Sequence, residues 1–440
     1  MPNFIVSLVI LAALSAGAYG LARLPAIRRT GIPDVAFLLA LGVGADFAVH
    51  AAGFHPARIF ASVAQPNLLS GAATLIILYG GAELTPEVMR AIWRPVLALS
   101  TVAVILSAGI LGLLTWVFGI AHMSLFAALL LGAILAGTDP AVLVSILDQV
   151  PLNERVREML IAESALNDPM SAMIATTMIA FMGVHNQHPG AVALSLLHSG
   201  MQVLSALVIG LVLGWIARRA RAWVPGATIR AIGLFALVYA AAWEFHASPF
   251  LAAFLAGLIA QPLDSHRESH QQQGRVDASL IRSHRKHRFA RWRAFLTWRL
   301  KLSQRQDRRL LSGLLFADRS YIFLLLGLSF PVQESLQSIL LAVSVAVLLV
   351  AVARPLSVAV AKLVAGDTVS RHETAFIACN RQTGVIPALF AADLTQLQAP
   401  YAAFISLSVT VTVILTSVIL LPLFRPLART FKLLLEGRSA

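Results

Sequence analysis

Residues 163–170 read ESALNDPM and place two carboxylates and an amide, on Glu163, Asp168 and Asn167, in a segment that is otherwise almost entirely apolar. The chain reads MLIA before this octapeptide and SAMIATTMIAFMG after it. Burying a carboxylate in an apolar medium costs several kcal/mol unless the charge is paired, bound to a cation or removed by protonation. The segment therefore predicts a buried site in which these side chains are compensated.

The rest of the chain is too apolar for a soluble protein. Of its 440 residues, 58% are hydrophobic and 12% are charged, whereas soluble domains have about 25% charged residues. Apolar runs of about 17–25 residues, the length that crosses a bilayer as a helix, recur along the chain. We predict an all-α polytopic membrane protein with about 13 helices. The predicted spans are 3–22, 32–49, 66–82, 95–119, 123–147, 157–183, 192–217, 227–243, 247–262, 313–331, 336–361, 373–393 and 401–424.

The net charge of +13 follows the predicted topology. Lys and Arg residues cluster after the odd-numbered spans, whereas the opposite loops contain essentially only Arg58. Because cytoplasmic loops retain Lys and Arg, we predict a cell-membrane protein with its amino terminus outside and its carboxyl terminus in the cytoplasm. The first span has no basic residue before it, which favours a retained helix over a signal peptide. The basic excess then reflects topology and attraction to anionic lipid, and we expect no nucleic-acid partner.

Three regions are expected along the chain. Residues 1–262 form a membrane domain of nine helices, 263–312 a cytoplasmic basic linker, and 313–440 a membrane domain of four helices with a short cytoplasmic tail. In the linker, aromatic and aliphatic residues recur at helical spacing between arginines from Phe289 onward, which predicts an amphipathic helix on anionic lipid. An alternative is a pH-sensing role for the histidines of this linker. These histidines are His266, His270, His284 and His287.

Two predicted spans are interrupted in similar ways. The fifth contains GTDP at 137–140, and the twelfth contains NRQTGVIP at 380–387. Proline removes a backbone donor and frees a carbonyl one turn earlier, and such unwound backbone is tolerated in a membrane only next to protein or a watery cavity. The two spans are an odd number of helices apart, so they run in opposite directions. This pattern is typical of inverted-repeat transporters with a site at the membrane midplane.

The ionisable residues predicted inside the membrane are Asp139, Glu163, Asp168 and Arg381, with Glu83 nearer the end of its span. Charges at this depth are functional candidates by default. Three acids and one base cannot all be neutralised by pairing, so at least one carboxylate must take up a proton or bind a cation. Asp139 lies at the interruption of the fifth span, where it can balance a helix dipole or Arg381.

Helical spacing divides the octapeptide into two faces. Ser164 and Asp168 are four residues apart and share one face, which offers the hard oxygen ligands that suit Na⁺ or Li⁺. Glu163 and Asn167 share another face, which we expect to meet Arg381.

The stretch AGTDPAVLVSILDQVPLNERVREMLIAESALNDPMSAMI (136–174) resembles the paired fifth and sixth helices of the cation:proton antiporters, on the electroneutral branch of NhaP-type and NHE-type sodium/proton exchangers. TDP followed by ESxxND is the joint signature. The resemblance extends to GIPDVAFLLALGVG, SPFLAAFLAGLIA, YIFLLLGLSF and ARPLSV. It implies an NhaA-like antiporter fold with inverted repeats, two crossed broken helices, a mobile core and a homodimer.

The resemblance also implies roles for individual residues. Asp168 would carry the proton and the cation alternately, and Thr138, through its main chain, and Ser164 would help to ligate Na⁺ beside it. Asn167 stands where electrogenic relatives have a second aspartate, which implies one-for-one exchange.

In the same family Glu163 and Arg381 would form a structural ion pair. Two positions depart from the family pattern. Tyr79, in LYGGAEL, stands where many relatives have an acid, and Glu83 lies one turn further along and could substitute for it. Gly384 comes three residues after Arg381, where the family has RG.

The sequence thus predicts a secondary active transporter that exchanges Na⁺, with Li⁺ and K⁺ left open, for H⁺ by alternating access and without a cofactor. The alternative is a gated cation channel or a transporter-like sensor using the same acids, which strict coupling of the two fluxes would exclude. No enzyme is expected, because RHETAF (371–376) lacks a second histidine at zinc-site spacing.

Overall fold

The computed structural model describes residues 2–22, 34–53, 65–84, 86–138, 143, 146–147, 150–184, 190–220, 223–224, 226–260, 307, 310–328, 334–396 and 400–434. Within these ranges the chain is helical, and the only β-pairing is an isolated bridge between Leu152 and Leu434. The predicted all-α class is therefore confirmed for the described part. Almost all of the predicted basic linker, with its amphipathic helix and histidines, lies outside the described residues.

The described helices are numbered here in chain order. They are α1 (Pro2–Ala22), α2 (Asp34–Ala51), α3 (Pro66–Glu83), α4 (Pro86–Leu97), α5 (Ala103–Val117), α6 (Leu125–Ala136), α7 (Glu154–Val184), α8 (Gly190–Ala220), α9 (Ala227–Glu244), α10 (Pro249–Ala260), α11 (Leu310–Leu328), α12 (Leu336–Leu348), α13 (Arg354–Ala365), α14 (Arg371–Cys379), α15 (Val385–Gln396), α16 (Ala402–Leu415) and α17 (Leu421–Thr430).

Among the described residues, six helical stretches are long and apolar enough to cross a bilayer, so the chain is a multi-pass membrane protein. They are Glu87–Val117, Gly200–Ala220, Ala227–Glu244, Leu310–Leu328, Leu336–Ala365 and Ala402–Leu420. Shorter apolar helices accompany them, and the total of 13 stays a prediction.

Both predicted interruptions are present. Helix α6 begins at an N-cap in which Ser124 accepts a hydrogen bond from the Ala127 N–H at 3.3 Å, and it ends at Ala136 because Gly137 is extended. The twelfth predicted span is split into α14 and α15, and residues 380–384 between them are not helical. Both helix ends lie in the interior of the molecule, where their backbone groups need partners.

Small residues bring the helices around the first interruption close together. A Cβ on Gly132 of α6 would lie 2.2 Å from the carbonyl oxygen of Ala108 on α5, and a Cβ on Gly112 would lie 2.9 Å from that of Ala128. Backbones that approach this closely are typical of membrane helix pairs, which gain stability from van der Waals contact rather than from the hydrophobic effect. The end of α6 is therefore held rigidly against α5.

The described part of the membrane helices contains three π-helical turns, at Ala98–Val102, Leu349–Ala353 and Thr416–Leu420. The second turn leads directly into Arg354, and Thr416 in the third accepts a hydrogen bond from the Thr383 N–H at 3.3 Å. Such turns shift the register of the side chains that follow and are frequent at functional sites.

Contacts at the helix ends divide the loops into two groups. At one end of the bundle, the Asn153 N–H donates to the Leu433 carbonyl at 2.9 Å, and Arg155 donates to the carbonyl of Thr368. At another end, the Tyr401 hydroxyl donates to the His122 carbonyl at 3.2 Å. The connections after the predicted fifth and eleventh spans thus share a side with the last residues of the described chain, as the alternating topology requires.

Candidate functional site

Helix α7 presents the side chains of the octapeptide to the interior of the protein. The helix continues without a break through Pro169, and Glu163, Ser164, Asn167 and Asp168 are all at most 2% exposed. Such burial of polar groups requires specific compensation. The compensation comes from three directions: the end of α6, the start of α13 and the interruption between α14 and α15.

Asn167 on α7 forms hydrogen bonds with Thr138, just after the end of α6. Its amide oxygen accepts from the Thr138 N–H at 3.1 Å, and its amide nitrogen donates to the Thr138 hydroxyl at 2.5 Å and to Oε1 of Glu163 at 3.2 Å. The Thr138 hydroxyl donates in turn to that of Ser164 at 3.1 Å. The predicted contact between Asn167 and Glu163 is present, but Ser164 joins the same network, so the two expected faces are not separate.

Glu163 forms its ion pair with Arg354, and the expected pairing with Arg381 is wrong. Arg354 Nη1 donates to Oε1 at 3.0 Å and Nη2 to Oε2 at 3.1 Å. The arginine and the glutamate are both almost completely buried. The parallel arrangement of two N–H···O bonds is the geometry in which a guanidinium binds a carboxylate most strongly. Arg354 is the first residue of α13, directly after the π-helical turn Leu349–Ala353.

Arg381 binds the end of α6 instead. It is fully buried, and its Nη2 donates to the carbonyl of Leu135 and, at 2.9 Å, to that of Gly137. The carbonyls of a last helical turn have no partner within the helix and carry the negative end of the helix dipole, so a guanidinium there is stabilising. The two interruptions of the membrane helices therefore meet at this contact.

Asp168 lies beside the same helix end. A Cβ on Gly137 would be 3.1 Å from Oδ1 of Asp168, so the carboxylate packs against a residue without a side chain. Arg381 interacts electrostatically with both Asp168 and Glu163. The cluster thus consists of carboxylates, hydroxyls, an amide and guanidinium groups, and its oxygen atoms are hard ligands that suit alkali cations.

Three of the predicted site residues are not seen in the cluster. Asp139 lies outside the described residues, and so does the side chain of Glu83. Tyr79 on α3 is partly buried and packs against the hydrophobic core. Among the remaining candidates, Thr138, Ser164, Asn167 and Asp168 come together in the interior.

Arg354 is the main residue that sequence reasoning missed. It lies inside the predicted span 336–361, in ARPLSV, and an arginine within an apolar run is itself a signal of a buried partner. Asp46 and Asp318 lie inside predicted spans as well, and Asp46 is only 1% exposed, with its Oδ1 3.5 Å from Nδ1 of His50. The expected set of intramembrane charges was therefore incomplete.

Comparison with known proteins decides the family. The family model described as sodium/hydrogen exchanger, transmembrane, matches residues 10–428. The chain belongs to the sodium/hydrogen exchanger family. This confirms the resemblance inferred from TDP and ESALND. The match covers almost the whole length of the chain.

Two curated relatives of this exchanger-family chain are K⁺/H⁺ antiporters. K(+)/H(+) antiporter NhaP2 of Shewanella sp. (strain MR-4) is 30% identical over 249 residues, 53% of this chain and 40% of the relative. K(+)/H(+) antiporter NhaP of Alkalimonas amylolytica is 30% identical over 202 residues, 43% of this chain and 33% of the relative. The match spans less than half the length of these relatives.

A solved structure shares the fold of the whole exchanger-family chain. The sodium proton antiporter MjNhaP1 from Methanocaldococcus jannaschii at pH 8 superposes with a TM-score of 0.66 at 18% identity, covering 98% of this chain and 97% of that one. At this identity the likeness concerns the fold.

Proposed function

We propose that this protein is a secondary active transporter that exchanges a monovalent cation for H⁺ at Asp168 by alternating access. The observation that carries the proposal is the different environment of two carboxylates on one helix. Glu163 is neutralised by a bidentate contact with Arg354, whereas Asp168 lies fully buried against Gly137 at the end of α6. A proton or a cation can neutralise Asp168 in turn, which is the requirement for exchange.

The charges of the site support one-for-one stoichiometry. Among the described residues of the cluster, Glu163 forms a bidentate ion pair with Arg354, so Asp168 is the single carboxylate that we propose to exchange an ion. Asn167 cannot supply a second charge, because its amide is neutral and its hydrogen bonds go to Thr138 and Glu163. Each cycle then carries one cation in one direction and one proton in the other.

The fold supports alternating access. Two interrupted helices that meet at the Arg381 contact are the arrangement in which a rigid core can expose one site to either side. We propose 13 spans, inverted repeats and crossing broken helices, in accord with the fold match. An empty, charged Asp168 would resist the movement because of its desolvation cost, and occupation by either ion removes that cost.

The remaining assignments are part of the same proposal. Thr138, Ser164 and Asp139 would complete the oxygen shell around the cation, with Glu83 or Tyr79 as accessory groups. The amino terminus would be outside and the carboxyl terminus cytoplasmic, and two copies would form a homodimer. The segment 263–312 would lie on anionic lipid as a linker between membrane domains 1–262 and 313–440. Near the end of this segment, Asp307 contacts the start of α9: its Oδ1 accepts a hydrogen bond from the Thr228 N–H at 3.2 Å.

The transported cation is the least specified part of the proposal. The curated relatives are named as K⁺/H⁺ antiporters, and the structural neighbour is named as a sodium proton antiporter. Hard oxygen ligands suit all the alkali cations, and the choice among them depends on the size of the site.

The test is transport by purified protein in proteoliposomes that contain a pH-sensitive dye. Addition of Na⁺, Li⁺ or K⁺ should dissipate an imposed pH gradient in the wild type, and an imposed voltage should not change the rate. Asp168→Asn should abolish this flux because an amide cannot bind and release a proton. Asp46→Asn, which alters another buried aspartate, should retain it.

Two results would overturn the proposal. The first is cation-driven proton flux in Asp168→Asn comparable to that of the wild type. The second is cation flux without proton movement, or flux that follows the voltage, which would indicate a channel.

A further inference from the structure

Two buried side-chain oxygen atoms pack against the backbone of Gly137. A Cβ at this position would lie 3.1 Å from Oδ1 of Asp168 and 3.3 Å from Oγ of Ser171. Both of these side chains are fully buried. Gly137 has φ −66° and ψ 149°, which any residue adopts, so its backbone conformation does not require glycine. What favours glycine here is the close approach of these two oxygens.

Ser171 continues the oxygen-bearing face of α7. Ser164, Asp168 and Ser171 are separated by four and three residues, so they lie one above another on the same side of the helix. Sequence reasoning included the first two in the site and left out the third.

The hydroxyl proton of Ser171 is already used. Its Oγ donates to the carbonyl of Ala133 at 2.6 Å, in the last turn of α6, where carbonyls have no partner within the helix. A serine hydroxyl has one donor and two acceptor lone pairs. With its proton held by Ala133, the hydroxyl therefore offers lone pairs to its other neighbours.

An acceptor oxygen next to a carboxylate favours one charge state over another. It repels the empty, ionised form of Asp168. It attracts a cation placed between the two oxygens, and it can accept the proton of the neutral acid. Both occupied states of the exchange cycle are thereby favoured over the empty one.

We propose that Ser171 is a further cation-coordinating residue beside Asp168. This inference rests on the proposed exchange function and adds to it a ligand and a determinant of cation selectivity. Loss of one oxygen ligand should weaken the binding of the smaller Na⁺ more than that of the larger K⁺, because Na⁺ has fewer ligands and depends more on each of them.

The first test measures the apparent KM for Na⁺ and for K⁺ in proteoliposomes with Ser171→Ala. The KM for Na⁺ should rise about tenfold with the maximal rate largely kept, as expected for the loss of one ligand worth about 1.4 kcal/mol. The KM for K⁺ should rise less, so the Na⁺/K⁺ preference changes. Thr177→Val is the matched control, because Thr177 is a buried hydroxyl on the same helix that donates to the Met173 carbonyl at 2.8 Å, away from Asp168.

The second test crowds the two oxygens. Gly137→Ala places a methyl group 3.1 Å from Oδ1 of Asp168 and 3.3 Å from Oγ of Ser171, so these groups must shift, and it should raise the KM for Na⁺ at least tenfold in a protein that still folds. Gly109→Ala is its control, because a Cβ on Gly109 of α5 has no atom within 4 Å.

The outcomes separate the two proposals. Unchanged KM values and unchanged cation preference in both Ser171→Ala and Gly137→Ala would overturn the role of Ser171 while leaving exchange at Asp168 intact. Equal losses for Na⁺ and K⁺ with a fall in maximal rate would show that Ser171 only supports the end of α6, which also overturns it. Absence of cation/proton exchange in the wild type would instead reject the proposed function.

Discussion

Glu163 and Asp168 are two acids on one helix, five residues apart, and both are buried. Glu163 meets a guanidinium in a bidentate contact and an amide at 3.2 Å, so its charge is balanced within the fold. Asp168 packs against the backbone of Gly137, at the point where α6 stops, and Ser171 packs against the same glycine. Two carboxylates of one helix thus lie in different environments: Glu163 forms an ion pair within the fold, and Asp168 is the acid at which we propose ion exchange.

The difference shows how a membrane protein can separate stability from transport. A buried charge with a permanent partner belongs to the architecture, because removing either partner leaves the other uncompensated. A buried charge at an interrupted helix is compensated by whichever ion is present. We therefore expect changes at Glu163 to affect folding first and changes at Asp168 to affect transport first.

The largest expected effect on stability is at Arg354. Arg354→Gln leaves the carboxylate of Glu163 buried without its guanidinium, which should cost about 3–5 kcal/mol and lower the melting temperature in detergent strongly. The double variant Glu163→Gln with Arg354→Gln removes both charges and should recover a large part of this loss. A melting temperature equal to that of the wild type in Arg354→Gln would contradict the structural role of the pair.

An intermediate effect is expected at Arg381, which supports the site without belonging to the Glu163 pair. Arg381→Gln removes the cation from the carbonyls of Leu135 and Gly137 and from the negative end of α6. The loss should be about 1–3 kcal/mol, because buried carbonyls lose a donor and the helix dipole loses a balancing charge. The melting temperature should fall by less than in Arg354→Gln. Arg218→Gln, at the exposed end of α8, is the control and should melt like the wild type.

The smallest effect on stability should accompany the complete loss of transport. Asp168→Asn removes a carboxylate whose burial is costly, so the melting temperature should stay the same or rise slightly. Added Na⁺ should stabilise the wild type, since a ligand that binds only the folded state at 100 times its Kd contributes about 2.7 kcal/mol. It should not stabilise Asp168→Asn, and choline chloride at equal ionic strength should stabilise neither. A large drop in stability without added cation would mean that Asp168 has the same structural role as Glu163.

Much of the fold could be predicted from local patterns. Apolar runs predicted helices, and GTDP and NRQTG predicted where two of them stop, because Gly and Pro act on the backbone within one turn. The Glu163–Asn167 contact was also predictable, since residues four apart on a helix are neighbours. The partner of Glu163 was not, because Arg354 is 191 positions away and only the packing of α13 against the interior brings it into reach.

The sequence by itself determined that this chain is a helical, multi-pass membrane protein, where α6 and α14 end, and that the acids of α7 need compensation. These properties follow from the cost of burying charge and from the short-range geometry of helices, and both can be read from neighbouring residues. Only the tertiary structure decided which arginine neutralises Glu163, that Arg381 instead binds the carbonyls of α6, and that Ser171 packs against Gly137. The two arginine contacts join helices that are distant along the chain, and the serine contact joins the consecutive helices α6 and α7. Which partners meet depends on how closely small residues allow the helices to pack.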